Sequence, residues 1–114
     1  MVTEQKKVQI LFQANEVIRM FDPEMPIQMV QTLLVVMMRP GLTMSELGEQ
    51  TGLTQSSVSR NVAALSKVHR TRRPGHDLVY TEEDPIDRRR KLVLLSPKGK
   101  RLLEQVNRAM SADW

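Results

Sequence analysis

Four consecutive cations, at positions 88–91, adjoin an apolar stretch that ends at Leu95. Clustered arginine and lysine side chains bind polyanions, because each cation that neutralises a phosphate releases a counterion. Residues 54–101 hold twelve Lys/Arg and five Asp/Glu, a net charge of +7, whereas residues 1–53 and 102–114 are slightly negative. This localised charge is typical of a nucleic-acid-binding face, although an ordinary solvated surface shows the same pattern.

A second polar cluster lies on a helix predicted from Gln55 to about Val68. At 100° per residue its packing side chains share one face, which comprises Val58, Val62, Leu65 and His69. The opposite face and its flanks carry Gln55, Ser56, Ser59, Arg60 and Lys67. Arginine can bind guanine and glutamine can bind adenine through paired hydrogen bonds, and serine lets the backbone approach closely. The helix therefore suits the major groove, and a plain polar surface helix is the alternative interpretation.

The elements that must position these side chains follow from periodicity and capping. Amphipathic patterns predict helices over about 4–21 and 26–38. Thr43 and Glu46 form a capping box that begins a short helix, and Gly52 supplies the left-handed residue at its end. Together with the helix from Gln55, this short helix predicts a helix-turn-helix over about 43–68.

The last third of the chain predicts a hairpin and one more helix. Strands over 78–81 and 91–95 are separated by a turn that contains Pro85, so the arginines lie at a hairpin tip within about 78–95. Ser96 and Pro97 begin a final helix over about 97–111. The fold class is therefore mainly α with a small β-hairpin (α+β), in one domain spanning 1–114.

Several classes of protein do not fit this composition. Without cysteine there is no disulfide framework or thiolate zinc site, and His69 and His76 have no partner at metal-ligand spacing. We expect neither metal nor cofactor, and the chain shows no catalytic motif, so we expect no enzyme. Its polar N-terminus and short apolar runs predict no signal peptide and no membrane span, which favours the cytoplasm.

Two runs carry a family resemblance: MPIQMVQTLLVVMMRPGLTMSELGEQTGLTQSSVSRNVAALSK and DPIDRRRKLVLLSPKG. Over about residues 10–105 the chain resembles the MarR family of winged helix-turn-helix transcription regulators. The resemblance implies that the hairpin is a wing. It also implies a recognition helix in the major groove, a wing arginine in the neighbouring minor groove, and a homodimer on a palindromic operator.

The resemblance extends to individual site residues. The run from Ser57 to Arg60 matches the family's Thr-Val-Ser-Arg, and Asp87 and Arg89 match its paired aspartate and arginine in the wing. Asp87 would orient a guanidinium by charge-assisted hydrogen bonds. Along a strand successive side chains alternate, so Arg88 or Arg89 is expected in the groove and Arg90 or Lys91 on phosphate. Further possible phosphate contacts are Thr43, Lys67, Arg70, Arg72 and Arg73.

The chain also departs from the family pattern. It inserts about eight residues around RTRRPGHD, which either add phosphate contacts or form a solvated loop, and Thr81 replaces the usual arginine. Ser96 stands where the family usually has threonine. The family's two long C-terminal helices build its dimer, whereas this sequence has one helix of about fifteen residues. We expect a homodimer through the first and last helices, with Met110 and Trp114 as apolar anchors, and a monomer is the alternative. The sequence identifies no small-molecule effector.

The sequence thus predicts a double-stranded DNA-binding transcription regulator of MarR type that represses by occupying its operator. The alternative is a winged-helix module used in replication or genome maintenance, or one that binds a protein. A regulator should prefer a palindrome and keep specific binding in competitor DNA, which distinguishes the two.

Overall fold

The computed structural model describes residues 3–68 and 73–112, which contain five α-helices and a three-stranded antiparallel sheet. The helices are α1 (Glu4–Phe21), α2 (Ile27–Met38), α3 (Met44–Thr51), α4 (Gln55–Leu65) and α5 (Pro97–Ser111). The strands are β1 (Leu42–Thr43), β2 (Val79–Glu83) and β3 (Lys91–Leu95). The predicted fold class, mainly α with a β-hairpin wing, is confirmed.

Two compact units make up the chain. Unit 1 comprises Met1–Met25 and Arg101–Trp114, and unit 2 comprises Pro26–Lys100. Unit 2 contains α2, α3, α4 and the whole sheet, so both predicted DNA-binding elements lie within it. None of the helices in the described residues is long and apolar enough to span a membrane.

The core of unit 2 is built from aliphatic side chains of α2, α3, α4 and the sheet. Its fully buried members are Leu33, Val36, Leu47, Val58, Leu65, Leu78, Val79 and Val93. In α2 burial is confined to residues 32–37, and Ile27 at the first turn is 83% exposed. On α4 the buried side chains are Val58, Val62, Ala64 and Leu65, which confirms the predicted division of that helix into two faces.

The end of α4 differs from the prediction. The helix stops at Leu65 and not near Val68, so Lys67 is not on it. In a longer helix, the carbonyls at this end would accept hydrogen bonds from amides of the next helical turn. Here they accept from backbone amides of the following loop instead. His76 N donates to Ala64 O at 3.1 Å, Leu78 N to Leu65 O at 2.8 Å and Gly75 N to Lys67 O at 2.9 Å. Satisfying these carbonyls from outside ends the helix.

The sheet also departs from the prediction in detail. Its order is β1-β3-β2, and the two-residue β1, which was not predicted, pairs with β3 through Leu42↔Val93 and Thr43↔Leu92. The first hairpin strand is Val79–Glu83 instead of 78–81, because its pairing with β3 continues through Glu83↔Lys91. The returning strand, 91–95, is confirmed.

A close backbone approach fixes the start of α5 next to β2. A Cβ at Gly99 would lie 2.0 Å from Leu78 O, a distance that no side chain can occupy. Ser96 Oγ donates to Asp77 O at 2.6 Å and accepts from Gly99 N at 3.0 Å, so the predicted Ser96 cap is confirmed. The predicted helix over 97–111 is likewise confirmed.

Unit 1 holds α1 and most of α5. The predicted bounds of α1, 4–21, are confirmed, and Thr3 caps it by accepting from Lys6 N at 3.1 Å. The buried amide of Gln13 donates to the carbonyl of Ala109 in the last turn of α5 and to that of Ala112 just beyond the helix. Carbonyls at the end of a helix lack amide donors from a following turn. Among the described backbone amides, Ala109 O accepts only a long hydrogen bond, from Ala112 N at 3.4 Å, so Gln13 caps α5 and joins it to α1.

Candidate nucleic-acid interface

The first turns of α4 present a polar, solvent-facing edge. Thr54 caps the helix by accepting from Ser57 N at 3.1 Å. Gln55, Ser56 and Arg60 are exposed, and Ser57 and Ser59 are half-buried. Arg60 Nη2 donates to Ser57 Oγ at 3.3 Å, and Thr54 Oγ1 bonds the same hydroxyl at 3.1 Å. This chain of hydroxyls holds the Arg60 guanidinium along the helix surface, which lowers the ordering cost of a contact.

A polar tether fixes α4 against α2. Asn61 Nδ2 donates to Gln28 O at 3.3 Å and to the buried Thr32 Oγ1 at 3.1 Å, and Thr32 Oγ1 itself donates to Gln28 O at 3.0 Å. Because Asn61 follows Arg60 directly, the tether sets the rotation of α4 about its axis. The polar edge is thereby held outward while Val58 and Val62 are buried.

The turn between α3 and α4 has the geometry that the sequence predicts. Gly52 ends α3 with φ 73°, a left-handed conformation that glycine adopts without steric cost. A second glycine, Gly48, faces α4, and a Cβ there would lie 2.7 Å from Gln55 Nε2. The absence of a side chain at Gly48 therefore lets the Gln55 amide lie against α3.

The start of α3 forms the predicted capping box. Glu46 N donates to Thr43 Oγ1 at 3.1 Å, and Thr43 N donates to Glu46 Oε1 at 3.0 Å. The hydrogen bond from Thr43 N, and then the interaction with the Thr43 side chain, lower the pKa of Glu46, and nearby Arg90 lowers it slightly further. Thr43 pairs with Leu92 of β3, and Arg90 and Lys91 line the same cavity as Glu46, so the base of the wing lies beside the N-terminal end of α3.

The wing tip, residues 84–90, is closed by two aspartates. Asp84 Oδ1 accepts from Ile86 N at 2.9 Å, and Asp87 Oδ1 accepts from Arg89 N at 3.1 Å. The backbone closes around them, since Asp84 N donates to Arg90 O at 2.9 Å and Arg90 N donates to Asp87 O at 3.0 Å. Each aspartate thus makes the side-chain turn that this residue type favours, and the tip is a defined structure.

The same aspartates pair with arginines of the wing. Arg89 donates to both carboxylate oxygens of Asp87, from Nε at 3.2 Å and from Nη2 at 3.3 Å. These hydrogen bonds, and then the one from Arg89 N, lower the pKa of Asp87. Arg90 Nε lies 3.7 Å from Asp84 Oδ2. The predicted role of Asp87 in orienting a guanidinium is therefore present, and the arginine that it orients is Arg89.

One cavity brings the helix-turn-helix and the wing together. It is lined by the start of α3, by Gln55 of α4 and by three wing residues, Arg89, Arg90 and Lys91. The α3 side is formed by Thr43, Met44, Ser45 and Glu46. The first turn of α4 and the wing cations therefore face the same space, as a groove-straddling interface requires.

The other residues that were predicted to contact phosphate differ in their exposure. Thr43 is buried and its hydroxyl oxygen caps α3, which disfavours a phosphate contact there. Lys67 and Arg73 are exposed, and both lie beyond the end of α4. His69, Arg70, Arg72 and Trp114 lie outside the described residues.

Sequence reasoning missed three residues that shape this interface. Asp84 closes the wing tip, Asn61 fixes the rotation of α4, and Ile86 projects from the tip with 96% of its surface exposed. The spacing Asp84–Ile86 is a local turn signal that could have been found. The Asn61 tether depends on Thr32, which is distant in sequence, and no local pattern indicates it.

Taken together, these elements define a winged helix. Residues 25–68 match a family model described as MarR family, which supports the predicted resemblance. Comparison with curated proteins gave no match.

Solved structures, a transcriptional regulator among them, share the fold. The PcaV regulator of Streptomyces coelicolor, in complex with its natural ligand, matches with TM-score 0.60 and 24% identity, over 79% of this chain and 57% of that chain. RV1404 of Mycobacterium tuberculosis matches with TM-score 0.70 and 21% identity, over 88% and 63%. The S. aureus MepR–DNA complex matches with TM-score 0.69 and 22% identity, over 90% and 77%.

At these identities the likeness concerns the fold. The chain spans less than two thirds of the length of the first two proteins, PcaV and RV1404.

Proposed function

We propose that this chain is a sequence-specific double-stranded DNA-binding transcription regulator of MarR type, which represses by occupying its operator. The observation that carries the proposal is the shared cavity, where Gln55 of α4 meets Arg89, Arg90 and Lys91 of the wing. A duplex that places α4 in its major groove would meet the wing at the adjacent minor groove. The MepR–DNA complex, a structure with the same fold, supports DNA as the ligand.

The exposed side chains of α4 suit base recognition. Arg60 can donate two hydrogen bonds to guanine O6 and N7, and Gln55 can bind adenine N6 and N7. Ser56 and Ser59 have short side chains, so the helix backbone can lie close to the base edges. The cations of the wing and of the α4 end, among them Arg88, Lys67 and Arg73, serve phosphate and minor-groove contacts.

Selection from a random pool of duplexes, with excess competitor DNA, tests this proposal. We expect enrichment of a defined motif, since direct readout discriminates each base pair by about 1–3 kcal/mol. A replication or genome-maintenance module would retain duplexes without preference, and a protein-binding module would retain none. Either outcome would contradict the proposed regulator.

We further propose a homodimer through α1 and α5 of unit 1. Three large apolar side chains, Val8, Leu11 and Phe12, follow one face of α1 at helical spacing and are exposed, Leu11 by 68%. Met110 on α5 is exposed as well. An apolar helix face of this kind commonly packs against a second copy, and a two-fold dimer would require a palindromic operator. The proposal places the protein in the cytoplasm with its DNA, and it assigns no effector.

A further inference from the structure

The wing tip exposes an apolar side chain where a purely electrostatic contact would need a cation. Ile86 is 96% exposed, more than any other large apolar side chain in the described residues. Pro85 beside it is exposed too. Together they form an apolar tip between Asp84 and Asp87.

This tip is held in place. Ile86 N is bonded to Asp84 Oδ1 at 2.9 Å, and the turn is closed by the Asp84 N–Arg90 O and Arg90 N–Asp87 O hydrogen bonds. Because the backbone on both sides of Ile86 is fixed, the direction in which its side chain leaves the turn is fixed relative to β2 and β3. Because the backbone of the tip is already ordered, burial of this side chain by a partner costs no backbone entropy.

The charge of the wing makes the apolar contact more important. Residues 82–91 contain four acidic and four basic side chains. Arg89 lies beside Asp87, Arg90 beside Asp84, and Lys91 opposite Glu83 in the strand register. A wing without net charge gains less from general attraction to phosphate than a basic wing would, so apolar burial can add to the contacts of its individual cations.

We propose that Ile86 is an apolar wedge that enters the minor groove and partly unstacks one base step, bending the duplex. Proteins that bind the minor groove use isoleucine, proline and similar side chains in this way. Pyrimidine–purine steps unstack most easily, so the wedge would add preference for such a step at a position without base-edge hydrogen bonds. The inference rests on the proposed DNA-binding function and adds a specificity-determining residue to it.

Affinity measurements with Ile86→Ala test the wedge on the duplex selected by the wild-type protein. We expect about five- to tenfold weaker binding, because burial of one aliphatic side chain is lost. The slope of affinity against salt should stay unchanged, since Ile86 carries no charge. Met20→Ala removes an exposed apolar side chain of α1 and is the matched control; it should bind as the wild type does.

Fluorescence of 2-aminopurine, substituted for each adenine of the site in turn, reports unstacking directly. The wild-type protein should raise the fluorescence at one step, and Ile86→Ala should abolish the rise while its unfolding temperature stays unchanged. Equal affinity and equal fluorescence for the two proteins would contradict the wedge and leave the proposed DNA binding intact. A loss of affinity accompanied by a smaller salt slope would do the same. If the wild-type protein binds no duplex, both the proposed function and the wedge are contradicted.

Discussion

At the scale of single residues, Arg60 is the side chain most directly tied to base recognition. It is exposed on α4, and Ser57 Oγ accepts from its guanidinium at 3.3 Å. Arg60→Ala should weaken binding to the selected duplex by about 1–3 kcal/mol and relax preference at one or two base pairs. Titrations on selected and random duplexes measure both effects.

A control variant that loses one positive charge away from α4 separates base recognition by Arg60 from general electrostatic attraction to DNA. Arg108 is exposed on α5, so Arg108→Ala removes one cation without altering α4. We expect this variant to keep the base preference of the wild type. Equal weakening of Arg60→Ala on selected and random duplexes would show that Arg60 binds phosphate and reads no base.

The wing arginines differ in what they can contribute. Arg89 is paired with Asp87, whereas Arg88 is exposed at the tip. Replacing both by alanine should lower the salt slope by about one, because the phosphate contribution of Arg89 is already offset by its aspartate. Affinity measured across a salt series checks this, and an unchanged slope would remove the wing cations from the phosphate contacts.

At the scale of the elements, most of the fold was predictable from the sequence. Helical periodicity, the Thr43–Glu46 box and Gly52 are local signals, and they placed α1, α2, α3 and the start of α4 within a residue or two. The end of α4 and the strand β1 were not predictable in this way. The end of α4 depends on the hydrogen bond from Leu78 N to Leu65 O, and β1 depends on the pairing of Leu42 with Val93; in both cases the partners are distant in the chain.

The candidate site was predictable to a similar degree. Residue types at the start of α4 and in the wing indicated the interface, because arginine, glutamine and serine have known partners on DNA. Which arginine pairs with Asp87 followed from the family resemblance. Periodicity could not show that Thr43 is buried or that Lys67 lies beyond the helix, since both depend on the tertiary fold.

The packing face of α4 is tested by Leu65→Ala. Leu65 is fully buried at the last turn of the helix. Its truncation leaves a cavity in the core of unit 2 and should lower the free energy of unfolding by about 2–5 kcal/mol. Met38→Ala, at an exposed position of α2, is the control and should change stability little. Denaturant unfolding measures both, and equal stability of the two variants would contradict the assigned face.

The capping box of α3 should make stability depend on pH. Hydrogen bonds from Thr43 hold the pKa of Glu46 below its ordinary value of 4.5. The folded protein therefore releases this proton more readily than the unfolded chain. The resulting stabilisation is fully present above about pH 4.5 and is lost as the pH falls through the lowered pKa.

Glu46→Gln tests this directly, since glutamine keeps an acceptor oxygen but does not titrate. The difference in unfolding temperature between wild type and Glu46→Gln should be constant above about pH 4.5 and shrink below it. Glu49→Gln removes the same charge from an exposed position of α3 and is the matched control. A difference for Glu46→Gln that does not vary with pH would contradict the role of the box.

At the scale of the whole molecule, the proposed dimer depends on the apolar face of α1. Leu11→Glu places a charge in the middle of this face, between Val8 and Phe12. Burying an unpaired charge is costly, so the variant should sediment as a monomer under conditions where the wild type is a dimer. Met20→Glu adds the same charge on a different side of α1 and should leave the dimer intact. A wild-type protein that is monomeric at every concentration would rule out the dimer.

The two units also separate the functions that we propose. Unit 2 carries α4, the wing and the cavity between them, and unit 1 carries the apolar face of α1. Variants of α4 and the wing should change DNA binding without changing the mass of the free protein. Leu11→Glu should instead weaken binding to a palindrome much more than binding to a half-site, because only the palindrome requires two copies.

The central claim is that α4 and the wing occupy adjacent grooves of one duplex, and dimethyl sulfate interference tests it most directly. The reagent methylates guanine N7 in the major groove and adenine N3 in the minor groove, so one experiment reports both. We expect methylation of major-groove guanines under α4 to interfere with binding, and this interference should be lost in Arg60→Ala. We also expect interference at minor-groove adenines beside them, where the wing binds. Interference confined to one groove, or absent from both, would contradict the account.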